Sequence, residues 1–182
     1  MPTIRSMHRV FLLGMLSFVF TSAASQAAEK HIYGLHEKVY LRELGVQLEA
    51  KLDTGATTTS LSAKVLEFIE KDGQQWVSFE LAAAGQPAVR QELPVVRTSR
   101  IKRRADDADV QQNPGYSQRP VVLLSVAMGD QLVVTEANLT DRSHFDYPLL
   151  LGATTLEQFS ALVDVANSYQ AGEPAHKPGQ AE

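Results

Sequence analysis

Short apolar runs separated by turn signals constrain the fold of this chain more than any other feature. The run at residues 46–52 alternates apolar and polar positions (Val-Gln-Leu-Glu-Ala-Lys-Leu), which is the period of a half-buried strand. The pairs Asp72-Gly73 and Gly129-Asp130 each lie between two apolar runs, as is typical of β-hairpin turns. No β-α-β rhythm and no internal repeat is present. The pattern therefore predicts an all-β chain that forms a small closed or partly closed barrel.

The apolar runs also predict where the strands lie. They cover residues 38–41, 46–52, 66–70, 75–81, 89–96, 121–128, 131–137, 147–151 and 161–165. One short helix of one or two turns is predicted after Gly152, at residues 153–159. Pro94 is expected at the edge or the end of its strand, because proline has no N–H for the ladder.

The polar segment at residues 97–119 interrupts this pattern and is predicted to lie outside the core. Five Arg or Lys residues stand between Arg97 and Arg104, and acidic residues follow them. Such a cluster is more typical of a solvated loop face than of a binding site. The functional alternative is part of a flap or rim that attracts acidic peptides or cell-wall carboxylates.

The first 27 residues are predicted to be a cleaved signal peptide. Arg5 and Arg9 give a basic start, an apolar run follows at residues 10–20, and Ser25-Gln26-Ala27 fits a small-x-small cleavage site. The apolar run is shorter than the roughly 20 residues that span a bilayer, although an uncleaved N-terminal anchor is the competing interpretation. We therefore expect export, with the bacterial periplasm as the compartment and no stable membrane insertion after cleavage.

The remaining 155 residues, from the 182 of the full chain less 27, suit one domain. That domain is predicted at residues 28–170, and the Pro-, Gly- and Gln-rich residues 171–182 are predicted to form a disordered tail. After cleavage, 15 of the 17 Lys and Arg residues remain, against 21 Asp and Glu residues. This net negative charge is not typical of a protein that binds nucleic acid. Cysteine is absent, so the fold relies on its apolar core rather than on disulfides.

A candidate catalytic loop follows the alternating run. Asp53, Thr54, Gly55 and Ala56 stand between an apolar leucine and a hydroxyl-rich run. The glycine suits a tight turn that lifts a carboxylate out of a strand, the threonine can hydrogen-bond to a partner loop, and the small alanine keeps the floor of a cleft clear. An ordinary surface turn is the alternative, since Asp and Gly are common turn residues. The flanking apolar strands favour the functional interpretation.

A Leu-Leu-Leu-Gly segment at residues 149–152 supplies a second element. A carboxylate in a glycine turn, followed much later by an apolar-apolar-Gly segment, is the two-part signature of retroviral-type aspartic peptidases. Peptide hydrolysis by carboxylates needs two of them around a water, one acting as base while the protonated one polarises the scissile carbonyl. The chain has one Asp-Thr-Gly, so the second carboxylate must come from another chain or from a different acid.

The sequence resembles the bacterial retropepsin-like aspartic peptidases, a family also labelled ATP-dependent zinc protease. The agreement covers Lys-Leu-Asp-Thr-Gly-Ala-x-Thr-Thr-x-Leu at 51–61, Gly-x-Gln-Trp-Val-x-Phe at 73–79, Arg-Ile-Lys at 100–102, Arg-Pro-Val-Val at 119–122, Leu-Thr-Asp-Arg at 139–142, Pro-Leu-Leu-Leu-Gly-x-x-x-Leu at 148–156 and Val-Asp-x-x-x-Ser-Tyr at 163–169. These motifs run in order through nearly the whole predicted domain, which makes the resemblance more specific than Asp-Thr-Gly alone.

The resemblance implies a retropepsin-like acid-protease barrel with Asp53 as the catalytic aspartate. It also implies an active site on a two-fold axis, with one Asp53 from each subunit of a homodimer and a peptide or protein as the substrate. Leu150, Leu151 and Gly152 would be the supporting segment that threads behind the active-site loop.

The zinc and ATP labels of that family find no support in the residues, so neither a metal nor another cofactor is predicted. The chain has no His-Glu-x-x-His, no cysteine and no phosphate-binding Gly-x-x-x-x-Gly-Lys-Ser/Thr loop. The histidines are scattered without ligand spacing.

The leading prediction is an exported aspartic endopeptidase that is dimeric through its active site. A non-catalytic peptide- or cell-wall-binding module with the same fold is the alternative, and a metallohydrolase is a third, weaker one.

Overall fold

The computed structural model describes residues 29–81, 89–102 and 116–175. Within them the chain forms eleven strands and one short helix. The elements are β1 His31–Gly34, β2 His36–Leu41, β3 Val46–Asp53, β4 Thr59–Lys71, β5 Gln74–Leu81, β6 Val89–Pro94, β7 Arg97–Lys102, β8 Tyr116–Met128, β9 Gln131–Thr140, β10 Leu149–Gly152, α1 Ala153–Gln158 and β11 Ala161–Asp164.

Six of the strands close into a barrel in the order β10-β3-β2-β8-β9-β4. The short strand β10 closes the ring, because it pairs parallel with β3 on one side and antiparallel with β4 on the other. Full closure removes exposed sheet edges, which are otherwise sites of unwanted strand pairing. The prediction of an all-β, retropepsin-like barrel with one short helix after Gly152 is confirmed.

Further strands pair outside this ring. Strand β4 pairs with β9 as far as Ser62, and from Ala63 it continues into the antiparallel sheet β4-β5-β6, with a bulge between Val65 and Glu67. Pro94 ends β6, which is the edge strand of that sheet, as expected for a residue without an N–H. The strands β1 and β11 form a separate two-stranded parallel sheet.

The interior follows the period-two pattern that the sequence predicted. In β3, Leu48, Ala50 and Leu52 are buried while Glu49 is exposed. The barrel strands contribute leucine, valine and alanine to one core, and Phe159, just after α1, is fully buried there. Alternating burial arises because successive side chains of a strand point to opposite faces of the sheet.

Both predicted hairpin turns are present, and their backbone conformations explain the residues that occupy them. Asp72 and Gly73 have φ values of 51° and 75° between β4 and β5, and Gly129 has φ 58° between β8 and β9. Two consecutive positive φ values are the requirement of a type I′ hairpin turn, which favours Asp-Gly.

Three sequence predictions need correction. The segment 97–119 is not simply a polar loop outside the core, since β7 and the first part of β8 pair antiparallel from Arg97↔Val121 to Lys102↔Tyr116. Strand β4 begins at Thr59 and not at residue 66, because the hydroxyl-rich run pairs with β9 and β10. Strand β1 was missed, since its four residues are too few for a periodic signal and depend on pairing with β11.

The two ends of the chain differ in what the structure describes. The predicted signal peptide, residues 1–27, lies outside the described residues. Residues 171–175 lie against the barrel, where the Ala175 amide donates to the Gly129 carbonyl at 2.8 Å and Lys38 pairs with Glu173 at 2.5 Å. A disordered tail therefore begins no earlier than residue 176, which also lies outside the described residues. No helix in the described ranges is long and apolar enough to cross a membrane.

A fully buried carboxylate ties this C-terminal segment to the first two strands. Glu37 Oε1 accepts hydrogen bonds from the Gly34 amide at 2.7 Å and the Gln170 amide at 2.9 Å, and Oε2 accepts one from the Ala171 amide at 3.1 Å. Hydrogen bonds to charged groups are stronger than those between neutral groups. Glu37 is thus a structural residue, because its carboxylate accepts hydrogen bonds from three backbone amides.

Replacing Glu37 by glutamine is expected to lower the free energy of unfolding by about 3 kcal/mol, because the amide NH₂ faces backbone N–H groups that need an acceptor. Chemical denaturation monitored by circular dichroism measures the change. Glu70→Gln is the matched control: Glu70 is an exposed β4 residue, and we expect a change within about 0.5 kcal/mol there. Equal midpoints for the two variants would contradict this role of Glu37.

Candidate active site

Asp53 is the last residue of β3, and the loop that follows it turns at once. The Gly55 amide donates to Asp53 Oδ1 at 2.9 Å, and the Ala56 amide donates to the Asp53 carbonyl at 3.3 Å. Asp53 and Ala56 are partly buried, whereas Thr54 and Gly55 are exposed. The carboxylate is therefore oriented by its own turn, with the threonine and glycine on the surface of this single chain.

The Leu-Leu-Gly segment lies beside this loop, as the resemblance implied. In the parallel pairing of β10 with β3, Leu151 is opposite Leu52 and Gly152 is opposite Asp53. The chain then leaves β10 along the loop, where the Ala153 amide donates to the Ala56 carbonyl at 2.7 Å. Strand β10 and the start of α1 thus lie directly against the candidate catalytic loop.

Gly152 has no space for a side chain. A Cβ built on its backbone would lie 2.6 to 2.8 Å from the backbone carbon, oxygen and nitrogen of Thr58. Its φ of −85° and ψ of 171° are ordinary extended values, so glycine is required here by close approach of two backbones and not by a special conformation. This contact sets the distance between the Leu-Leu-Gly segment and the loop.

A buried chain of three threonine hydroxyls lies beneath the loop. Thr155 Oγ1 is 2.7 Å from both Thr59 Oγ1 and Thr135 Oγ1, and the Gly152 amide donates to Thr59 Oγ1 at 3.2 Å. All three threonines are buried, so each hydroxyl is satisfied by the others. Sequence reasoning missed Thr135 and Thr155, because the three residues belong to different elements and carry no local motif.

Asn138 of β9 connects the start of β4 to β8. Its side-chain amide donates to the Thr59 carbonyl at 2.8 Å, and its Oδ1 accepts from Ser60 Oγ at 3.1 Å and from Arg119 Nη1 at 3.4 Å. Asn138 is buried. The sequence contained no signal for this residue, since its role follows from the parallel register that places Ser60 opposite Asn138.

Asp141 and Arg142 are adjacent in sequence, but the described residues show no ion pair between them. Asp141 Oδ1 instead accepts from the Ser143 amide at 2.8 Å, and these hydrogen bonds lower the pKa of Asp141. The Arg142 guanidinium lies 4.5 Å from the centroid of the Phe145 ring. Burial, followed by the nearby charge of Arg119, lowers the pKa of Arg142, and the carboxylate of Asp53 raises it.

The remaining polar residues of interest have structural partners. His36 stacks on Tyr147, with ring centroids 4.1 Å apart, and its Nδ1 lies 3.2 Å from Ser168 Oγ. Asp164 accepts from the Ala166 amide and the Asn167 side chain, and these bonds lower its pKa. Within the described ranges, no cluster of three or more His, Asp or Glu side chains is placed to hold a metal ion.

Comparison with known proteins adds a family and several relatives. A family model described as RimB-like, "Retropepsin-like aspartic endopeptidase RimB", matches residues 32–174. Curated relatives named "Probable alpha-L-glutamate ligase" include one from Shewanella pealeana, 30% identical over 146 residues, and one from Parasynechococcus marenigrum, 30% identical over 149 residues. Each match covers 79% of this chain but 30% of the relative. The chain therefore spans about a third of the length of these relatives, whose name describes the longer proteins.

A solved structure with the same fold is also similar in sequence. It is the crystal structure of a protein of unknown function (DUF785) from Legionella pneumophila subsp. pneumophila, with a TM-score of 0.64 and 33% sequence identity. The match covers 79% of this chain and 99% of the Legionella chain. The fold of most of this chain is thus shared with the Legionella protein.

Proposed function

Because the chain belongs to the RimB-like family of retropepsin-like aspartic endopeptidases, we propose that it hydrolyses peptide bonds and that Asp53 is its catalytic carboxylate. The observation that carries this proposal is the setting of Asp53. It ends a barrel strand, its carboxylate is oriented by the Gly55 amide, and Gly152 is directly opposite it in β10. This is a preorganised carboxylate on a rigid scaffold.

The second carboxylate of the dyad comes from Asp53 of a second copy in this proposal. In the described part of the chain, no other carboxylate hydrogen-bonds to Asp53. Hydrolysis requires one carboxylate to remove a proton from water while the other, protonated, polarises the peptide carbonyl. Two carboxylates about 3 Å apart cannot both ionise, so a pair retains the single proton that this mechanism needs.

Exposed apolar residues support a second copy as the partner. The sheet β1-β11 carries the directly paired residues Ile32 and Leu162, which are 61% and 51% exposed, and Val165 follows at 73%. Neighbouring exposed apolar side chains such as Ile32 and Leu162 are consistent with an interface. Thr54 is also exposed at the tip of the catalytic loop, where it is available to bond to the partner loop.

We further propose that the protein acts after export. The basic start, short apolar run and Ser25-x-Ala27 of the sequence support a cleaved signal, and the periplasm is the expected compartment. N-terminal sequencing of the exported form is expected to begin at Ala28 or Glu29. A mature form that retains residues 10–20 would contradict the export proposal.

Hydrolytic activity is expected to fall faster than linearly when the protein is diluted through its dimer dissociation constant. An unfolded protein such as reduced, alkylated casein is a suitable substrate, and the solution mass is measured at the same concentrations. Mixing the wild type with excess Asp53→Asn is expected to inhibit it if subunits exchange, because mixed dimers hold half a dyad. Full specific activity in a demonstrated monomer would contradict the dimeric site, and no hydrolysis by the demonstrated dimer would contradict the peptidase.

A further inference from the structure

The first backbone amides of α1 hold the candidate catalytic loop. The Ala153 amide donates to the Ala56 carbonyl at 2.7 Å, and the Thr154 amide donates to the Thr57 carbonyl at 3.2 Å. The first amides of a helix have no acceptor within the helix, and here the loop that begins at Asp53 supplies their acceptors. The position of this loop therefore depends on where α1 begins.

Helix α1 does not fix its own position. It has six residues, its N-cap Gly152 makes no side-chain hydrogen bond, and its first turn carries no acidic residue. Isolated helices of this length are marginal in water, so tertiary contacts decide where the helix lies. Leu156 and Phe159 anchor it in the apolar core. Apolar contacts are not directional, so they do not by themselves set the position of the first turn.

Thr155 supplies a directional contact. Its side chain is fully buried, and its Oγ1 lies 2.7 Å both from Thr59 Oγ1 of β4 and from Thr135 Oγ1 of β9, a distance typical of O–H···O hydrogen bonds. Thr59 is opposite Ala137 in the parallel pairing, so Thr59 and Thr135 lie on the same face of the sheet. One hydroxyl thus ties the first turn of α1 to two strands of the barrel.

Packing alone does not require a hydroxyl group at this position. Valine has nearly the shape of threonine and would fill the same space without a polar atom. A buried hydroxyl costs free energy unless it is hydrogen-bonded, so a displacement of Thr155 that breaks either bond is unfavourable. The hydroxyl therefore restricts α1 to one position, which the apolar side chains of the helix do not do.

We propose that Thr155 is a positioning residue for hydrolysis. Its hydroxyl fixes the start of α1 against β4 and β9, and the Ala153 and Thr154 amides then hold the loop where the Asp53 carboxylates of two subunits share a proton. Such a geometry must be held to within about 0.5 Å. Thr155 is buried and acts through the backbone. The inference rests on the proposed function, because the position of Asp53 matters for hydrolysis only if Asp53 catalyses it.

Amide hydrogen exchange, followed residue by residue by NMR, tests the positioning without requiring hydrolysis. Thr155→Val keeps the shape and removes the hydroxyl, whereas Thr155→Ser keeps the hydroxyl and removes a methyl group. We expect the Ala153 and Thr154 amides of Thr155→Val to exchange about tenfold faster or more, relative to the amides of the β5–β6 pairing. In Thr155→Ser the ratio is expected to stay within about threefold of the wild type.

Equal ratios in the valine and serine variants would overturn the proposal. The comparison with the β5–β6 pairing corrects for a change in global stability. Thr135→Val removes the other end of the hydroxyl chain and replaces Thr155→Val in this test if that variant does not fold. It is expected to speed exchange of the same two amides, and an unchanged ratio in Thr135→Val would then overturn the proposal.

The values of kcat and KM for reduced, alkylated casein test the consequence for catalysis. We expect kcat of Thr155→Val to fall by about tenfold or more with little change in KM, because small misplacements of catalytic groups are costly. Thr155→Ser is expected to restore kcat to within about threefold of the wild type. Leu156→Val is the matched control, since it weakens the packing of α1 and leaves the three hydroxyls in place. An equal fall of kcat in this control would overturn the specific role of the hydroxyl.

The two measurements separate this inference from the proposed function. Faster exchange in Thr155→Val with a lower kcat supports both proposals. Faster exchange with an unchanged kcat overturns the inference and leaves the peptidase intact. Absence of hydrolysis in the wild-type dimer contradicts the peptidase, and the exchange ratios then still decide whether the Thr155 hydroxyl holds the loop.

Discussion

Asp53→Asn is expected to reduce kcat/KM for peptide hydrolysis by about 10³-fold or more while the chain stays folded. The substitution removes the ionisable proton that the proposed mechanism shares between two subunits. It changes the volume very little, and the asparagine Oδ1 can still accept from the Gly55 amide that now donates to Asp53. Because Asp53 is only partly buried, we expect the free energy of unfolding to change by less than about 1 kcal/mol.

Asp72→Asn is the matched control for this experiment. Asp72 lies in the β4–β5 turn with φ 51°, a conformation that asparagine tolerates as well as aspartate does. The control is expected to keep full activity and stability. Wild-type activity in a folded Asp53→Asn protein would rule out Asp53 as the catalytic carboxylate. Hydrolysis would then come from another acid of the protein or from a contaminant, and only a contaminant would favour the non-catalytic binding module.

Gly152→Ala is expected to lower the free energy of unfolding by about 3 kcal/mol or more, since inserting a methyl group into filled space is strongly destabilising. The added Cβ would meet three backbone atoms of Thr58 at 2.6 to 2.8 Å. A backbone cannot move aside as a flexible side chain can. Either β10 or the loop after Asp53 must shift, so we also expect activity to be lost at temperatures where the variant is still folded.

Gly73→Ala separates this steric effect from the usual cost of replacing glycine. Gly73 has φ 75°, and no atom lies within 4 Å of a Cβ built on it. Its replacement is therefore expected to cost only the left-handed backbone penalty of about 1 to 2 kcal/mol, with activity retained. Thermal denaturation and a peptide hydrolysis assay on both variants measure the difference. A Gly152→Ala protein that is more stable than Gly73→Ala, with unchanged activity, would show that the close approach is not required.

Much of the fold could be predicted from local sequence patterns. The alternation in residues 46–52 predicted β3, because the period of a strand is two residues and one face of this strand is buried. Asp72-Gly73 predicted its hairpin, because few residue pairs adopt two consecutive positive φ values. These features depend on a few neighbouring residues, which is why the sequence alone sufficed for them.

The restriction of sequence patterns to neighbouring residues also explains which elements were misplaced. The run Thr57–Ser60 was not assigned to a strand, although Thr59 and Ser60 already belong to β4. Its hydroxyl groups carry no strand period, and their burial depends on Thr155, Thr135 and Asn138 from distant parts of the chain. Pairing of β1 with β11 likewise joins segments about 130 residues apart, and no local pattern reports such a contact.

The candidate site likewise has features that the sequence predicted and features that only the tertiary structure shows. The sequence by itself determined the position of Asp53 in a glycine turn at the end of a strand and identified the Leu-Leu-Leu-Gly segment at residues 149–152, because both are motifs of a few residues. Only the tertiary structure decided that Gly152 lies opposite Asp53, and that the charges of Arg119 and Asp53 act on Arg142. The physical reason is that strand register and barrel closure bring together residues that are far apart in sequence, and electrostatic interactions depend on that distance in space.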